Sequence, residues 1–470
     1  MSNKFTSRPA ILPDKNVSAR FHRFKLRDNP FPNEPFVNSR SKDSRINGDI
    51  YEASLRHDEH SKLQKAFVEP SRNDGSHLKL GYIEDASYLG RGNGKSAFIL
   101  NATERINSAY CLDSSQGRNK CFSVIVNPIG GGKTKSFDSF VDLLMTSILE
   151  SRIIDVAVGS LILDALDQDP AHSTLVRSIA NEDQLIESVF SEKWYEANHI
   201  DRTMLCQHLS KNDFITEFRN DTPLAQLANR TSLFNEFVTS DLISSHYFGV
   251  LRKGQSRFEL VFNELPRLFL AAGFNGGFIF VDDFERIPDF QSARQKRDFA
   301  IELRTALFDG PYVSSAYGFY TALLVLHAGV PRLINDAWQA SGINSRSPMN
   351  ETGSPHVILF GKLEPNKVES LLIRYLDEFR LSIESKGELW PFTPAAVKLM
   401  AESCDYNAGR ILQTANSMLD YAIDANASTI SVEFAKVRLE ANDNQDDQPT
   451  DLKTSLSTSL DLELKAGDEQ

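Results

Sequence analysis

The sequence predicts an α/β fold in which a parallel sheet carries helices on both of its faces. The first observation is a set of short, continuous apolar runs, which are typical of strands buried on both sides. The second is that helix-length amphipathic stretches, such as residues 137–149, separate these runs, with turn residues at the boundaries. The apolar runs lie at residues 80–89, 121–126 (CFSVIV), 276–281 (GGFIFV), 322–326 (ALLVL) and 357–360 (VILF).

Composition divides the chain into four parts. The N-terminal residues are rich in Pro, Asn, Arg and Ser, with one helix predicted at 51–67. The C-terminal residues are acidic and poor in aromatic side chains, a composition that buries too little apolar surface to fold. The predicted parts are an N-terminal extended arm at 1–75, an α/β core at 76–362 with a helical insertion at about 153–272, a C-terminal helical lid at 363–440 and an acidic disordered tail at 441–470.

The charge balance excludes one class of protein. A net charge of −12 argues against a protein that coats nucleic acid non-specifically, because such binding depends on Lys and Arg contacts to phosphates. The charge is uneven, however, because Arg20, Arg23, Lys25 and Arg27 cluster near the N-terminus. A local basic face that meets DNA therefore stays open.

Cysteine usage and hydropathy predict the compartment. Cys111, Cys121, Cys206 and Cys404 are far apart and lack CxxC spacing, so we expect incidental thiols rather than disulfides or metal ligands. No run approaches the roughly 18 apolar residues of a membrane span, and the N-terminus lacks the apolar segment of a secretory signal. The expectation is a cytoplasmic protein without membrane contact.

Three glycines at alternate positions precede a lysine and a serine in GRGNGKS at residues 90–96. Glycines tolerate the backbone angles that let successive N–H groups converge on a phosphate, and a helix starting directly afterwards turns its positive end to the anion. In such a loop Lys95 reaches the β- and γ-phosphates and the Ser96 hydroxyl coordinates Mg²⁺. The first position of the usual pattern holds Leu89 instead of glycine. The predicted nucleotide-binding residues are Gly90, Arg91, Gly92, Asn93, Gly94, Lys95, Ser96 and Ala97.

A second loop, GGGKT at residues 130–134, carries the same Gly-Lys-Thr ending. It also follows a predicted strand, but the polar pair Lys135 and Ser136 separates it from the next apolar helix face. We therefore assign the phosphates to the first loop. Two alternatives stay open from the sequence: the second loop binds the phosphates, or neither loop does.

Two carboxylates, Asp282 and Asp283, directly follow the apolar run GGFIFV. A buried parallel strand delivers its C-terminal residues to the crevice where ligands bind in open α/β sheets. Asp282 is the predicted second metal residue, beside Ser96, because such a carboxylate holds the Mg²⁺ water shell. The alternative is a polar pair that simply ends a surface strand.

With these motifs in place, the chain resembles AAA+ P-loop ATPases of the origin-recognition-like and related bacterial clades, over roughly residues 78–440. GRGNGKS is similar to their Walker A loop and FIFVDD to their Walker B strand. The resemblance implies an AAA+-type P-loop NTPase whose nucleotide lies between the α/β core and a C-terminal helical lid. The phrase GFNGGFIFVDDFERI also resembles ATPases of bacteriophage-exclusion defence loci, which adds antiviral defence to the candidate roles.

The resemblance implies two catalytic carboxylates. Asp283 stands where many members have a Glu that orients or activates the attacking water. Because Asp is one methylene shorter, we expect slow hydrolysis or a contribution from Glu285.

It also implies cationic residues that sense or stabilise the γ-phosphate. Arg410, in NAGR at 407–410, resembles the lid arginine called sensor 2; a solvated helix arginine is the alternative. His327 stands at the position of sensor 1, with a core histidine as the alternative. Arg346, with Arg332 in reserve, is the candidate arginine finger for a neighbouring subunit, so oligomer contacts would control the rate.

The leading hypothesis is an ATP- and Mg²⁺-dependent switch that governs assembly or a partner, in genome maintenance or phage defence. Its expected partners are further copies of the chain or other proteins, engaged through the helical insertion, with DNA as a further candidate. The competing hypothesis is a non-catalytic scaffold that binds nucleotide structurally. A translocating motor is disfavoured because the sequence has no second helicase-like core.

Overall fold

A computed structural model gives the structure of the chain. It describes residues 19–34, 36–38, 41–70, 72, 77–86, 92–110, 120–167, 170, 172–179, 182–201, 205, 239–327, 329–349 and 353–446. The described residues form two compact units. The first comprises those within 37–41 and 53–361, and the second those within 19–36, 42–52 and 362–446.

The first unit is built on a five-stranded sheet in which every pairing is parallel. The strands are β1 (Leu80–Asp85), β2 (Cys121–Val126), β3 (Gly276–Val281), β4 (Tyr320–Leu326) and β5 (Val357–Phe360). Their order across the sheet is β2-β3-β4-β1-β5, so β1 is an interior strand, between β4 and β5, although it comes first in the chain. Ile83 of β1, for example, lies beside Val325 of β4 and Ile358 of β5. The predicted α/β fold with a parallel sheet flanked by helices is confirmed.

Helices connect and cover the strands. In the first unit they are α1 (His57–Leu63), α2 (Lys95–Tyr110), α3 (Phe137–Glu150), α4 (Ile153–Asp167), α5 (Ser173–Ser178), α6 (Glu182–Val189), α7 (Glu192–Ala197), α8 (Ser240–Gly249), α9 (Gln255–Glu259), α10 (Leu265–Ala271), α11 (Ala293–Arg304), α12 (Val313–Ala316), α13 (Val330–Ser341) and α14 (Ile343–Arg346). In the second unit they are α15 (Val368–Phe379), α16 (Pro394–Ser403), α17 (Ala408–Asp424) and α18 (Val432–Asp446). None of the described helices is both long and apolar enough to cross a bilayer.

Both faces of the sheet are buried, which explains why the strands are continuous apolar runs rather than alternating ones. On one face, Phe98 and Ile99 of α2 belong to the same buried apolar cluster as Phe278 and Phe280 of β3. The opposite face carries the larger core, to which α3, α4, α10, α11 and α13 contribute. In that core the Trp338 Nε1–H donates to the Tyr82 hydroxyl at 2.9 Å, which satisfies a polar group among apolar neighbours.

The described residues of the predicted insertion are mostly helical, from α4 to α10. Helix α4 is buried along most of its length, so this part of the chain adds to the core as well as to the surface. Residues 206–238 lie outside the described residues, as do Cys111 and Cys206. Cys121 and Cys404 are buried.

The N-terminal segment differs from the extended arm that its composition predicted. Phe24 and Phe31 are fully buried within the second unit. The Asn29 side chain donates to the Asn416 carbonyl at 3.1 Å, and the Asn416 side chain donates to the Phe31 carbonyl at 2.7 Å. This Pro- and Arg-rich segment is buried through the apolar residues spaced along it. Burial removes their apolar surface from water, which a solvated arm would not do. Of the predicted tail, the structure describes only residues 441–446, the last turns of α18.

Candidate functional site

Strand order creates a crevice at the carboxyl edge of the sheet. After β1 the chain crosses to β2 at one edge, whereas after β4 it crosses to β5 at the other. Neighbouring parallel strands whose connections leave in opposite directions open a crevice between their carboxyl ends, the usual ligand position in open α/β sheets. Strands β1, β3 and β4 all end at this edge, so the segments that follow them begin beside the crevice.

The first glycine loop enters helix α2 at this edge. Gly92 and Gly94 have φ angles of 104° and 87°, a left-handed region that favours glycine. Helix α2 begins at Lys95 and runs for 16 residues, so its unpaired N–H groups and positive dipole end start directly after the loop. If Gly94 carried a Cβ, that atom would have no described atom within 4 Å beyond its chain neighbours. The backbone of the loop is therefore open to a ligand at this position. Gly90 and Arg91 lie outside the described residues.

Lys95 is buried and forms an ion pair with Asp85, the last residue of β1. The other oxygen of the Asp85 carboxylate accepts a hydrogen bond from the Asn93 side chain at 2.8 Å. Burial alone raises the pKa of Asp85, but hydrogen bonds with His327, Lys95 and Asn93 outweigh it and lower that pKa. In this structure the loop lysine is therefore neutralised by a carboxylate of its own chain.

Ser96 and Asp282 lie in contact, which joins the two motifs that the sequence singled out. The Ser96 hydroxyl lies beside the Asp282 carboxylate, which directly follows β3, and acts to lower the pKa of that carboxylate. Burial raises the pKa of Asp282, and the negative charges of Asp283 and Glu285 act in the same direction. A divalent cation would relieve the repulsion between the buried Asp282 carboxylate and its carboxylate neighbours. The hydroxyl of Ser96 and the carboxylate of Asp282 are oxygen ligands of the kind that Mg²⁺ prefers.

His327, directly after β4, lies among three carboxylates. Its Nε2 is 3.1 Å from the Glu285 Oε1 and 3.5 Å from the Asp283 Oδ1, and its Nδ1 is 3.5 Å from the Asp85 Oδ2. Hydrogen bonds to Asp283, Asp85 and Glu285 raise the pKa of His327 to about 10, against opposing effects of burial and Lys95. His327 therefore carries a positive charge at neutral pH, and it belongs to the site rather than to the apolar core.

Asp283 is held in an unusual conformation. Its φ of 44° is left-handed, which costs a non-glycine residue of order 1 kcal/mol. Its carboxylate forms an ion pair with Arg286 and faces His327. A carboxylate held by two cations is a weak proton acceptor, so the geometry does not favour Asp283 as an efficient base for water. Its predicted catalytic role, like that of Glu285, stays a prediction.

Asp283, Glu285 and His327 also offer a second set of possible metal ligands. One ligand atom from each lies within 4.8 Å of the others. This set is adjacent to the Ser96 and Asp282 pair but shares no residue with it. Because His327 is protonated, a cation here would have to displace its proton.

The second glycine loop has different geometry. The Thr134 hydroxyl is buried and hydrogen bonds within its own turn, accepting from the Ile129 N–H at 2.8 Å. Helix α3 begins only at Phe137 and is capped by the Ser136 side chain. Neither a free hydroxyl nor a helix start follows Lys133 directly. These differences support the choice of the first loop for phosphate.

The predicted arginines lie elsewhere. Arg346 is 3.7 Å from Asp309, and the next residue, Ser347, donates to the Leu80 carbonyl at the amino end of β1. Arg346 therefore lies near the amino ends of the strands, whereas the crevice lies at their carboxyl ends. A role as arginine finger would require the crevice of a neighbouring subunit. Arg332 is exposed in the first turn of α13, and Arg410 is exposed in the first turn of α17 in the second unit. Their predicted roles are untested.

Sequence reasoning missed Asp85 and Arg56. The Arg56 guanidinium donates to the carbonyl of Asn93 at 2.9 Å and to that of Gly361 at 3.1 Å, which fixes the glycine loop from behind. The signal for Asp85 was present, because β1 ends in a carboxylate just as β3 is followed by one. No local pattern marks Arg56, since its partners are backbone atoms distant in sequence.

Comparison with protein-family models, with curated proteins and with solved structures gave no match to this chain. Its function therefore has to be inferred from the residues of the crevice. The contact between Ser96 and Asp282 is the central observation there.

Proposed function

We propose that this chain is an AAA+-type P-loop protein that binds ATP with Mg²⁺ at the carboxyl edge of its sheet and acts as an ATP-dependent switch for assembly or for a partner. The observation that carries the proposal is the contact between Ser96, in the first turn of α2, and Asp282 after β3. A glycine loop, a lysine at a helix start, a hydroxyl and a strand-end carboxylate converge there. That combination of donors suits a magnesium triphosphate.

The residues of the glycine loop, Ser96 and Asp282 each have a specific role in binding the nucleotide. The backbone N–H groups from Gly92 to Lys95 would hold phosphate oxygens, and the Lys95 ammonium would neutralise them. Ser96 and Asp282 would hold Mg²⁺, which when bound screens the charge of the phosphates. Lys95 must first leave Asp85. His327 and Asn93 then remain beside Asp85, so its charge keeps a partner when the lysine moves.

Hydrolysis is expected to be slow. His327 and Arg286 hold the Asp283 carboxylate, and a carboxylate already paired with cations is less available to orient the attacking water. The same pairing favours the competing function, a scaffold that binds nucleotide without turnover. Steady-state phosphate release by the purified protein, measured with particle size with and without ATP, separates the two. A switch turns over and changes its assembly state, whereas a scaffold does neither.

Replacing Asp282 with asparagine should weaken the affinity for ATP in Mg²⁺ by about 10–100-fold, because a charged metal ligand is lost. Affinity measured in EDTA should change little, since the carboxylate acts through the metal. Titration of a fluorescent ATP analogue with and without Mg²⁺ measures both. Asp298→Asn, which removes a carboxylate that is 55% exposed on α11, is the matched control. Equal losses in Mg²⁺ and in EDTA would contradict the metal assignment.

Replacing Asp85 with asparagine should tighten ATP binding by about tenfold, because Lys95 no longer has to break a charge-assisted bond. Asparagine keeps the shape of the side chain and one acceptor for Asn93. The control is Glu84→Gln, one residue earlier and so on the opposite face of β1. The same titration applies. Weaker binding by the Asp85 variant would instead show that Asp85 is needed to shape the loop.

A further inference from the structure

A basic surface lies beside the crevice, formed by residues 127–136 after β2 and residues 286–298 after β3. We name it the basic edge. These two segments hold six basic and two acidic residues in a chain whose net charge is −12. The basic residues are Lys133, Lys135, Arg286, Arg294, Lys296 and Arg297, and the acidic ones are Asp289 and Asp298.

The two segments of the basic edge are fixed to each other. The Gln291 side chain donates to the Lys135 carbonyl at 2.6 Å, and the Arg286 guanidinium donates to the Pro128 carbonyl at 3.4 Å. A Cβ placed at Gly132 would meet the Phe290 Cβ at 3.4 Å, so the loop backbone lies directly against this residue. Exposed positive side chains from both segments therefore lie on one connected surface, while Arg286 is paired with Asp283. The exposed cations are Lys133, Lys135, Arg294 and Arg297.

The loop of the basic edge presents its lysines and its backbone to the outside. Thr134 is buried, whereas Lys133 and Lys135 on either side of it are exposed. Gly131 and Gly132 have φ angles of 69° and 74°, a left-handed region that favours glycine. Among the described residues, no atom would lie within 4 Å of a Cβ at Gly131. This arrangement leaves room for an extended anion to approach both the backbone and the two ammonium groups.

Apolar side chains are exposed among these cations. Phe290 is 51% exposed and Ile129 is 47% exposed, although both types are usually buried. An exposed aromatic ring beside a line of positive charges is the combination that binds single-stranded nucleic acid, in which bases stack on rings and phosphates meet Lys and Arg. Arg294, with a side chain 85% exposed on α11, extends the positive charge beyond the loop. Asp298 lies 3.6 Å from it and offsets part of that charge.

We propose that the basic edge binds the phosphate backbone of single-stranded nucleic acid, with Phe290 stacking on a base. This assigns a role to the second glycine-lysine loop, which the nucleotide site does not use. The proposal does not require that the crevice bind ATP. Single-stranded DNA and single-stranded RNA both fit, because each is a flexible chain of phosphates that carries bases.

The test measures fluorescence anisotropy of labelled oligo-dT and oligo-U of about 20 nucleotides, in about 50 mM salt and upward. The unchanged protein should bind, and its affinity should fall as salt rises. Replacing both Lys133 and Lys135 with alanine should weaken binding about tenfold and reduce the slope of log affinity against log salt by about 1.4, since roughly 0.7 is lost per phosphate contact on single strands. Phe290→Ala should weaken binding about fivefold or more without changing that slope.

Two controls distinguish the basic edge from the remaining surface and from the crevice. Replacing Lys386 and Lys398 with alanine removes the same charge from exposed positions of the second unit and should leave oligonucleotide binding unchanged. Lys95→Ala should also leave it unchanged, whereas the Lys133 and Lys135 double variant should keep its affinity for ATP. Absence of binding by the unchanged protein, or equal losses in the two double-lysine variants, would overturn the proposal. Loss of oligonucleotide binding that persists when Lys95→Ala is combined with Asp85→Asn, in a protein of unchanged thermal stability, would place the oligonucleotide in the crevice and overturn the proposal.

Discussion

Replacing Lys95 with alanine should weaken ATP binding by at least about 100-fold, whereas the same change at Lys133 should leave it unaltered. Among the described residues, Lys95 supplies the only side-chain cation in the first turn of α2, and charge-assisted bonds to two phosphates together contribute several kcal/mol. Lys133 lies in a turn in which the next residue, Thr134, already has its hydroxyl bonded, and no helix starts directly after it. Isothermal titration with ATP and Mg²⁺ compares the two variants.

The Lys95 variant also needs a check on folding, because Asp85 loses one of its two cationic partners when the lysine is removed and keeps only His327. The double variant Lys95→Ala with Asp85→Asn removes both charges and restores neutrality. It should regain thermal stability while still failing to bind ATP. Loss of ATP binding in Lys133→Ala, with Lys95→Ala unaffected, would reverse the assignment of the two loops.

Replacing His327 with glutamine should lower the free energy of unfolding by about 3–5 kcal/mol near neutral pH, because Asp85, Asp283 and Glu285 lose the cation that they share. The His327 side chain is 22% exposed, so solvent screens these pairs only in part. Urea unfolding of both proteins, followed by circular dichroism, measures the difference.

The effect of His327 should depend on pH in a defined direction. Its pKa is raised from an unfolded value of 6.5 to about 10, so its contribution to stability is complete below about pH 6.5 and is lost as pH rises towards 10. The difference between the two proteins should shrink across that window by up to about 1.4 kcal/mol per pH unit. His57→Gln, a change at an exposed residue in α1, serves as the control. A difference that stays constant from about pH 6.5 to 9.5 would contradict a charged His327.

The strands and the glycine loop could be predicted because their signals are local. A strand buried on both faces must be apolar throughout, and β2, β3 and β5 begin and end where their apolar runs do. Gly92 and Gly94 adopt the left-handed angles that their residue type permits, and α2 begins at Lys95 as the motif predicts. The N-terminal segment was harder to predict, because Pro and Arg suggested solvation while its scattered aromatic residues are buried.

The sequence by itself determined which side chains stand at the ends of strands and which loop can approach an anion, since both follow from hydropathy and glycine chemistry over a few residues. Only the tertiary structure decided that Asp85 pairs with Lys95 and that His327 lies between Asp85 and the carboxylates after β3. Those contacts depend on the order β2-β3-β4-β1-β5, which places β4 between β1 and β3. Strand order is set by packing between distant parts of the chain. The charge of His327 and the partner of Lys95 therefore follow from the assembled sheet and from no single stretch of sequence.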